Sequence, residues 1–156
     1  MIDETLRAFL ERGCAMIVGT VGADGTPHAQ RAWGCTVVDE ATVRLLVDGA
    51  DPTLREHLDG GRIAVTAADV RTLRSVQLKG RVATVEEEPT AEDLRRCGIH
   101  NDEVFTDIEE TDHFPRDLVE RMVPRSYLVA VVSVTELFDQ TPGPSAGAPV
   151  GGGGAP

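Results

Sequence analysis

The sequence predicts a mainly β protein, an antiparallel barrel or sandwich with peripheral helices. Three observations predict it. There are about six short apolar, β-branched runs; tight turns join most of them; and strands and helices do not alternate regularly, as a doubly wound sheet would require. A length of 156 residues suits one domain with one core. Apolar residues make up 41% and aromatics only 4%, so Val, Leu, Ile and Ala must build that core. The domain is expected to span residues 1–140, followed by a Pro/Gly-rich tail over 141–156.

Ile2, Leu6, Phe9 and Leu10 recur at helical spacing, with Asp3 placed to cap the start and Gly13 to follow the end. Residues 15–21 (AMIVGTV) read as a strand. Ala23-Asp24-Gly25 supplies hairpin chemistry, because Asp-Gly tolerates positive φ. Residues 27–38 form the return strand and residues 42–47 the next. Asp51-Pro52 opens a helix that stops before Gly60-Gly61. Residues 62–67 and 73–85 alternate as strands, and Gly80 within the second predicts a bulge or a close backbone approach. A short helix is expected over Thr90–Arg96, ending near Gly98, and then a solvated acidic loop or helix edge over Asn101–Asp112. Phe114, Leu118 and Met122 return to helical spacing, and residues 127–134 are the most strand-like run. At least the last ten residues are expected to be disordered.

Fifteen basic against 26 acidic residues give a net charge of −11. That field repels phosphate backbones and anionic lipid, which argues against nucleic acid and membrane surfaces as partners. No run approaches the roughly 20 apolar residues of a membrane span. Met1-Ile2-Asp3-Glu4 is acidic, unlike a secretory leader. Cys14, Cys35 and Cys97 lack disulfide or zinc spacing, so reduced thiols in a cytoplasmic protein are expected. The four histidines have no metal-ligand spacing; His57 and His113 read as surface residues, and His28, at the start of a strand, is the best functional candidate. GxSxG and GxGxxG are absent.

GTVGADGTPHAQ after a leading helix, a strand carrying Arg31, a strand–helix–strand block ending RIAV, and VQLKGRV occur in an order that resembles the pyridoxamine 5′-phosphate oxidase-like FMN-binding split-barrel family. The resemblance covers residues 4–88 and, more loosely, 126–138. It implies a six-stranded antiparallel split β-barrel and a homodimer with a flavin at the subunit interface. It further implies that Arg31, Ala32, Trp33 and Gly34 lie along the flavin ring, with Leu46 and Val47 approaching it. Arg31 would serve a reduced, anionic flavin, Trp33 would wall the pocket, and Gly34 would admit the ring. On residue type alone, Trp33 reads as a core aromatic and Arg31 as a snorkelling side chain.

The family places an arginine–lysine pair for the phosphate where this chain has Pro52-Thr53, leaving Thr53, Arg55 and the helix start as substitutes. Ser75, Gln77 and the single lysine, Lys79, form a polar stripe facing either pocket or solvent. The turn at Leu137–Pro144 either ends the fold or closes over the groove through Gln140 or Thr141. Two functions follow from the resemblance. One is an FMN-dependent oxidoreductase acting on a small molecule; the other is a non-catalytic protein that binds or sequesters flavin, deazaflavin or haem.

Overall fold

Strand alternation closes on itself here. A computed structural model describes residues 1–150. Among the described residues, six strands form one closed antiparallel barrel: β1 (Ala15–Val21), β2 (Pro27–Val37), β3 (Thr42–Asp48), β4 (Arg62–Ala68), β5 (Ser75–Glu86) and β6 (Tyr127–Asp139), in the order β1-β2-β3-β6-β5-β4. Closure removes the sheet edges that would otherwise invite aggregation. The inward residues, among them Met16, Val18, Leu45, Val65, Leu78 and Ala130, are all but fully buried. Gly80 marks a register shift between β5 and β6, and a Cβ there would collide with the Ser133 carbonyl, so the expected close approach is present.

Two short helices plug the barrel. In α1 (Glu4–Leu10) the Asp3 carboxylate accepts from the Leu6 N–H at 2.8 Å, and Leu6, Phe9 and Leu10 face the core. In α2 (Pro52–Leu58) Asp51 caps the Leu54 N–H at 2.9 Å, and Leu54 and Leu58 are fully buried.

The region after β5 differs from the sequence expectation. A single helix, α3 (Ala91–Asp112), runs through Gly98 and the acidic segment. Gly98 does not stop it, since the surroundings of that position are open and the helix continues on both sides. A capping box starts it: Asp93 N–H donates to Thr90 Oγ1 while the Asp93 carboxylate receives the Thr90 N–H. That carboxylate also takes two bonds from Arg44 on β3, at 2.7 and 3.0 Å, and Arg44 makes a bidentate pair with Glu86. The helix α4 (Arg116–Glu120) follows; Val119 is its buried residue, and Phe114, Leu118 and Met122 stay about half exposed.

β6 extends five residues past the expected end, through Asp139. The chain then returns along it. Asp139 N–H donates to the Ala148 carbonyl at 2.9 Å, Val150 N–H to the Leu137 carbonyl at 2.8 Å, and Phe138 bridges Pro149. Gly147, Ala148 and Val150 of the expected disordered tail thus donate or accept ladder bonds; the rest of that tail, 151–156, lies outside the described residues. No described helix is long and apolar enough to cross a membrane.

Candidate functional site

The outward residues of five strands stand in rows. Arg31, Ile17, Thr66, Gln77 and Phe138 are cross-strand neighbours from β2 through β1, β4 and β5 to β6. Ala29, Gly19, Ala64, Lys79 and Glu136 form the next row, and Arg62 opposes Arg81 beyond it. Small side chains at Gly19, Ala29 and Ala64 make a flat floor. Above it lies an open groove of about 860 Å³, lined also by Val21, Lys79 and Arg81. That volume falls in the range of small-molecule sites.

The charge on this face is unusual for so acidic a chain. Elsewhere most arginines meet carboxylates, Arg74 and Arg125 excepted among the described residues: Arg12 meets Asp69 at 2.9 Å, Arg44 meets Asp93 at 2.7 Å, and Arg96 meets Glu11 at 3.2 Å. Among the described residues, Arg31, Arg62, Lys79 and Arg81 have no carboxylate partner. Arg81 donates to the Gly60 carbonyl at 3.1 Å, and the Lys79 ammonium lies 4.5 Å from the centre of the Phe138 ring. Gln77 Nε2 donates to Thr66 Oγ1 at 3.1 Å.

The residues expected along a flavin separate into two groups. Arg31 is half-buried at one end of this face, its guanidinium carbon 5.8 Å from the Trp33 ring centre. Burial lowers its pKa from the usual arginine value. Lys79 and Gln77 share the face with it. Ala32 and Val47 instead point into the barrel core. Trp33 and Leu46 are buried beneath α3 with Cys97, Val104 and Phe105, so Trp33 is a core aromatic and walls no open pocket. Gly34 has φ +153, and a Cβ there would press on the Cys97 backbone at 3.3 Å; it admits a helix where a ring was expected. β2 pairs with β1 over residues 27–32 and with β3 at Ala32 and over residues 35–37, with a register shift between Ala32 and Cys35, and α3 packs on Trp33 within that shift.

The expected phosphate site is otherwise engaged. The Asp51 carboxylate occupies the start of α2 and also takes Gln30 Nε2 at 2.9 Å and His28 Nε2 at 2.8 Å. Burial would raise the Asp51 pKa, but these hydrogen bonds outweigh it and hold the group at about 2. Thr53 is exposed, and Arg55 turns to Glu87 at 2.6 Å. Ser75 is buried; its N–H donates to Thr141 Oγ1 at 3.1 Å and its carbonyl accepts from the Gln140 N–H at 2.8 Å. The turn after β6 therefore sits on Ser75, and neither Gln140 nor Thr141 lines the groove.

Three groups escaped sequence reasoning. Arg62 and Arg81 meet only through the β4–β5 register. His100 is buried under Arg31, and burial, followed by repulsion from that guanidinium, pushes it down to about 4. Its Nδ1 has no partner among the described residues. His57, expected at the surface, is buried with its Nδ1 3.1 Å from Thr20 Oγ1. The three cysteines are free and buried, and no group of metal-ligating side chains occurs among the described residues.

The sequence model of pyridoxamine 5′-phosphate oxidase matches residues 2–134. The chain belongs to that family. Solved structures share the family's six-stranded barrel. HupZ of Group A Streptococcus is 18% identical, with a TM-score of 0.57, covering 94% of this chain and 100% of its own. An F420 reductase is 19% identical, with a TM-score of 0.55, covering 84% of this chain and 94% of its own. A candidate pyridoxamine 5′-phosphate oxidase from Lactobacillus delbrueckii is 19% identical, with a TM-score of 0.52 and coverage of 87% and 92%. At such identities the likeness is one of fold. No curated protein matches the chain.

Proposed function

We propose that the open outer face of β1, β2, β4 and β5 holds FMN, and that the chain is a cytoplasmic, homodimeric FMN-dependent oxidoreductase of the pyridoxamine 5′-phosphate oxidase-like type. The observation that carries this reading is the meeting of a flat, small-residue floor with cations that no carboxylate neutralises. A planar, anionic group suits both features: the floor accepts the ring, Lys79 in the groove offers a donor, and Arg31 and Gln77 stand in the adjoining row. FMN supplies hydride transfer when bound; the chain supplies orientation and a positive field. Ile17 and Val21 are 45% and 46% exposed on this face, and a second copy of the chain would cover them. Three buried free thiols suit a reducing compartment.

A second reading has its own support. His28 is tied to Asp51 and Arg55 to Glu87, so neither an obvious proton donor nor the usual phosphate residues stand free. This favours a protein that binds or sequesters a flavin, a deazaflavin such as F420, or haem, without turnover. Titration of purified protein with FMN, deazaflavin and haemin separates the readings. Flavin absorbance that bleaches with a nicotinamide donor supports the enzyme; bound but unreactive flavin, or a Soret band, supports the second reading. A protein that ignores all three would remove both.

A further inference from the structure

We propose that Arg62 and Arg81 form an oxyanion site, the place where a phosphate group of the ligand in the groove is held. This rests on the reading of the open face as a ligand site. Arg62 on β4 and Arg81 on β5 are direct cross-strand partners, both outward-facing and exposed. Neighbouring strands lie about 4.8 Å apart, and like charges set directly opposite destabilise a sheet. Among the described residues, none of the carboxylates of this chain, which has 26 acidic residues, lies against either guanidinium. Arg81 has one donor on the Gly60 carbonyl, and Arg62 has no hydrogen-bond partner among the described residues.

Both line the groove, and so does Lys79, one row nearer the floor. The acid lining the groove is Glu136, across from Lys79 on β6, and it makes no ion pair among the described residues. Two guanidinium forks at adjacent strand positions can each bond one phosphate, and the bound dianion turns the mutual repulsion into attraction. The sequence-expected alternative at the start of α2 is filled by the Asp51 carboxylate, which leaves the Arg62–Arg81 pair as the paired cations on the groove.

The test compares the wild type with the double variant R62Q/R81Q. Thermal unfolding is followed against sodium pyrophosphate at matched ionic strength. The wild type is expected to rise in Tm and saturate, as mass action requires of a bound site. The double variant is expected to start at or above the wild-type Tm, the repulsion being gone, and not to respond. Equal responses in both, or none in the wild type, overturn the site. So does a variant that loosens self-association while pyrophosphate dissociates the wild type, because the cations would then serve a second copy's carboxylates. A parallel comparison of FMN with riboflavin is expected to show a preference for FMN of about tenfold or more, lost in the variant. Loss of flavin binding altogether, with the pyrophosphate response intact, would remove the cofactor reading and leave the oxyanion site standing.

Discussion

Where α3 crosses β2 and β3, the outer surface of the barrel is closed: Trp33 and Leu46 are buried, Gly34 lets the helix approach, and Arg44 is neutralised by Asp93 and Glu86. Where β1, β4 and β5 turn outward, Ile17 and Val21 remain half exposed, and Arg62, Lys79 and Arg81 are left without counter-charges. Both surfaces belong to one sheet, and both carry apolar residues and arginines. The first is finished within the chain. The second is left open by the chain's own residues, which is why we propose the ligand there although the sequence pointed to Trp33 and Gly34.

Substitutions sharpen this contrast. Trp33→Ala, under α3, is expected to cost about 3–5 kcal/mol in denaturant unfolding, as for a large aromatic removed from a core; a cost below about 1 kcal/mol would mean that α3 does not hold this face. His100 tests the same covered side through pH. Its folded pKa of about 4 lies below its ordinary 6.5, so the unfolded chain takes the proton first. Stability is complete above pH 6.5 and falls as pH drops toward 4, by about 3 kcal/mol. His100→Leu should flatten that slope, and an unaltered slope would assign it to other groups. At the border of the two surfaces, Arg31→Ala is expected to weaken FMN binding by about 1–3 kcal/mol, with an unchanged Kd showing that Arg31 does not meet the ligand. On the open side, Ile17→Ser should weaken self-association, since a second copy is proposed to cover it, while changing the unfolding of the separated subunit by no more than about 0.5 kcal/mol. A cost like that of Trp33→Ala would mean the face is not open.

The strands were legible because alternation is local: AMIVGTV and RIAVTA declare an inner and an outer side without help from the rest of the chain. α3 was not. Gly98 and Asn101 interrupt a segment dense in acids, and its low apolar content reads as solvated. A weaker signal was present, since Cys97, Val104 and Phe105 fall on one helical face, and it becomes decisive only with Trp33 and Leu46 beneath it. The candidate site was partly legible. Arg31, Gln77 and Lys79 were chosen by family pattern and do share a face, whereas Arg62 and Arg81 look like ordinary strand-flanking arginines until the β4–β5 register sets them side by side.

The single lysine makes the central claim directly measurable. Lys79 is half-buried in the groove, so its acylation by an amine-reactive reagent, followed by peptide mass spectrometry, reports on that face at one position. With FMN added to saturation, judged by its own fluorescence, the account predicts that Lys79 acylation slows several-fold while labelling of the Met1 amine is unchanged. FMN bound to saturation with Lys79 reacting as fast as before would contradict it.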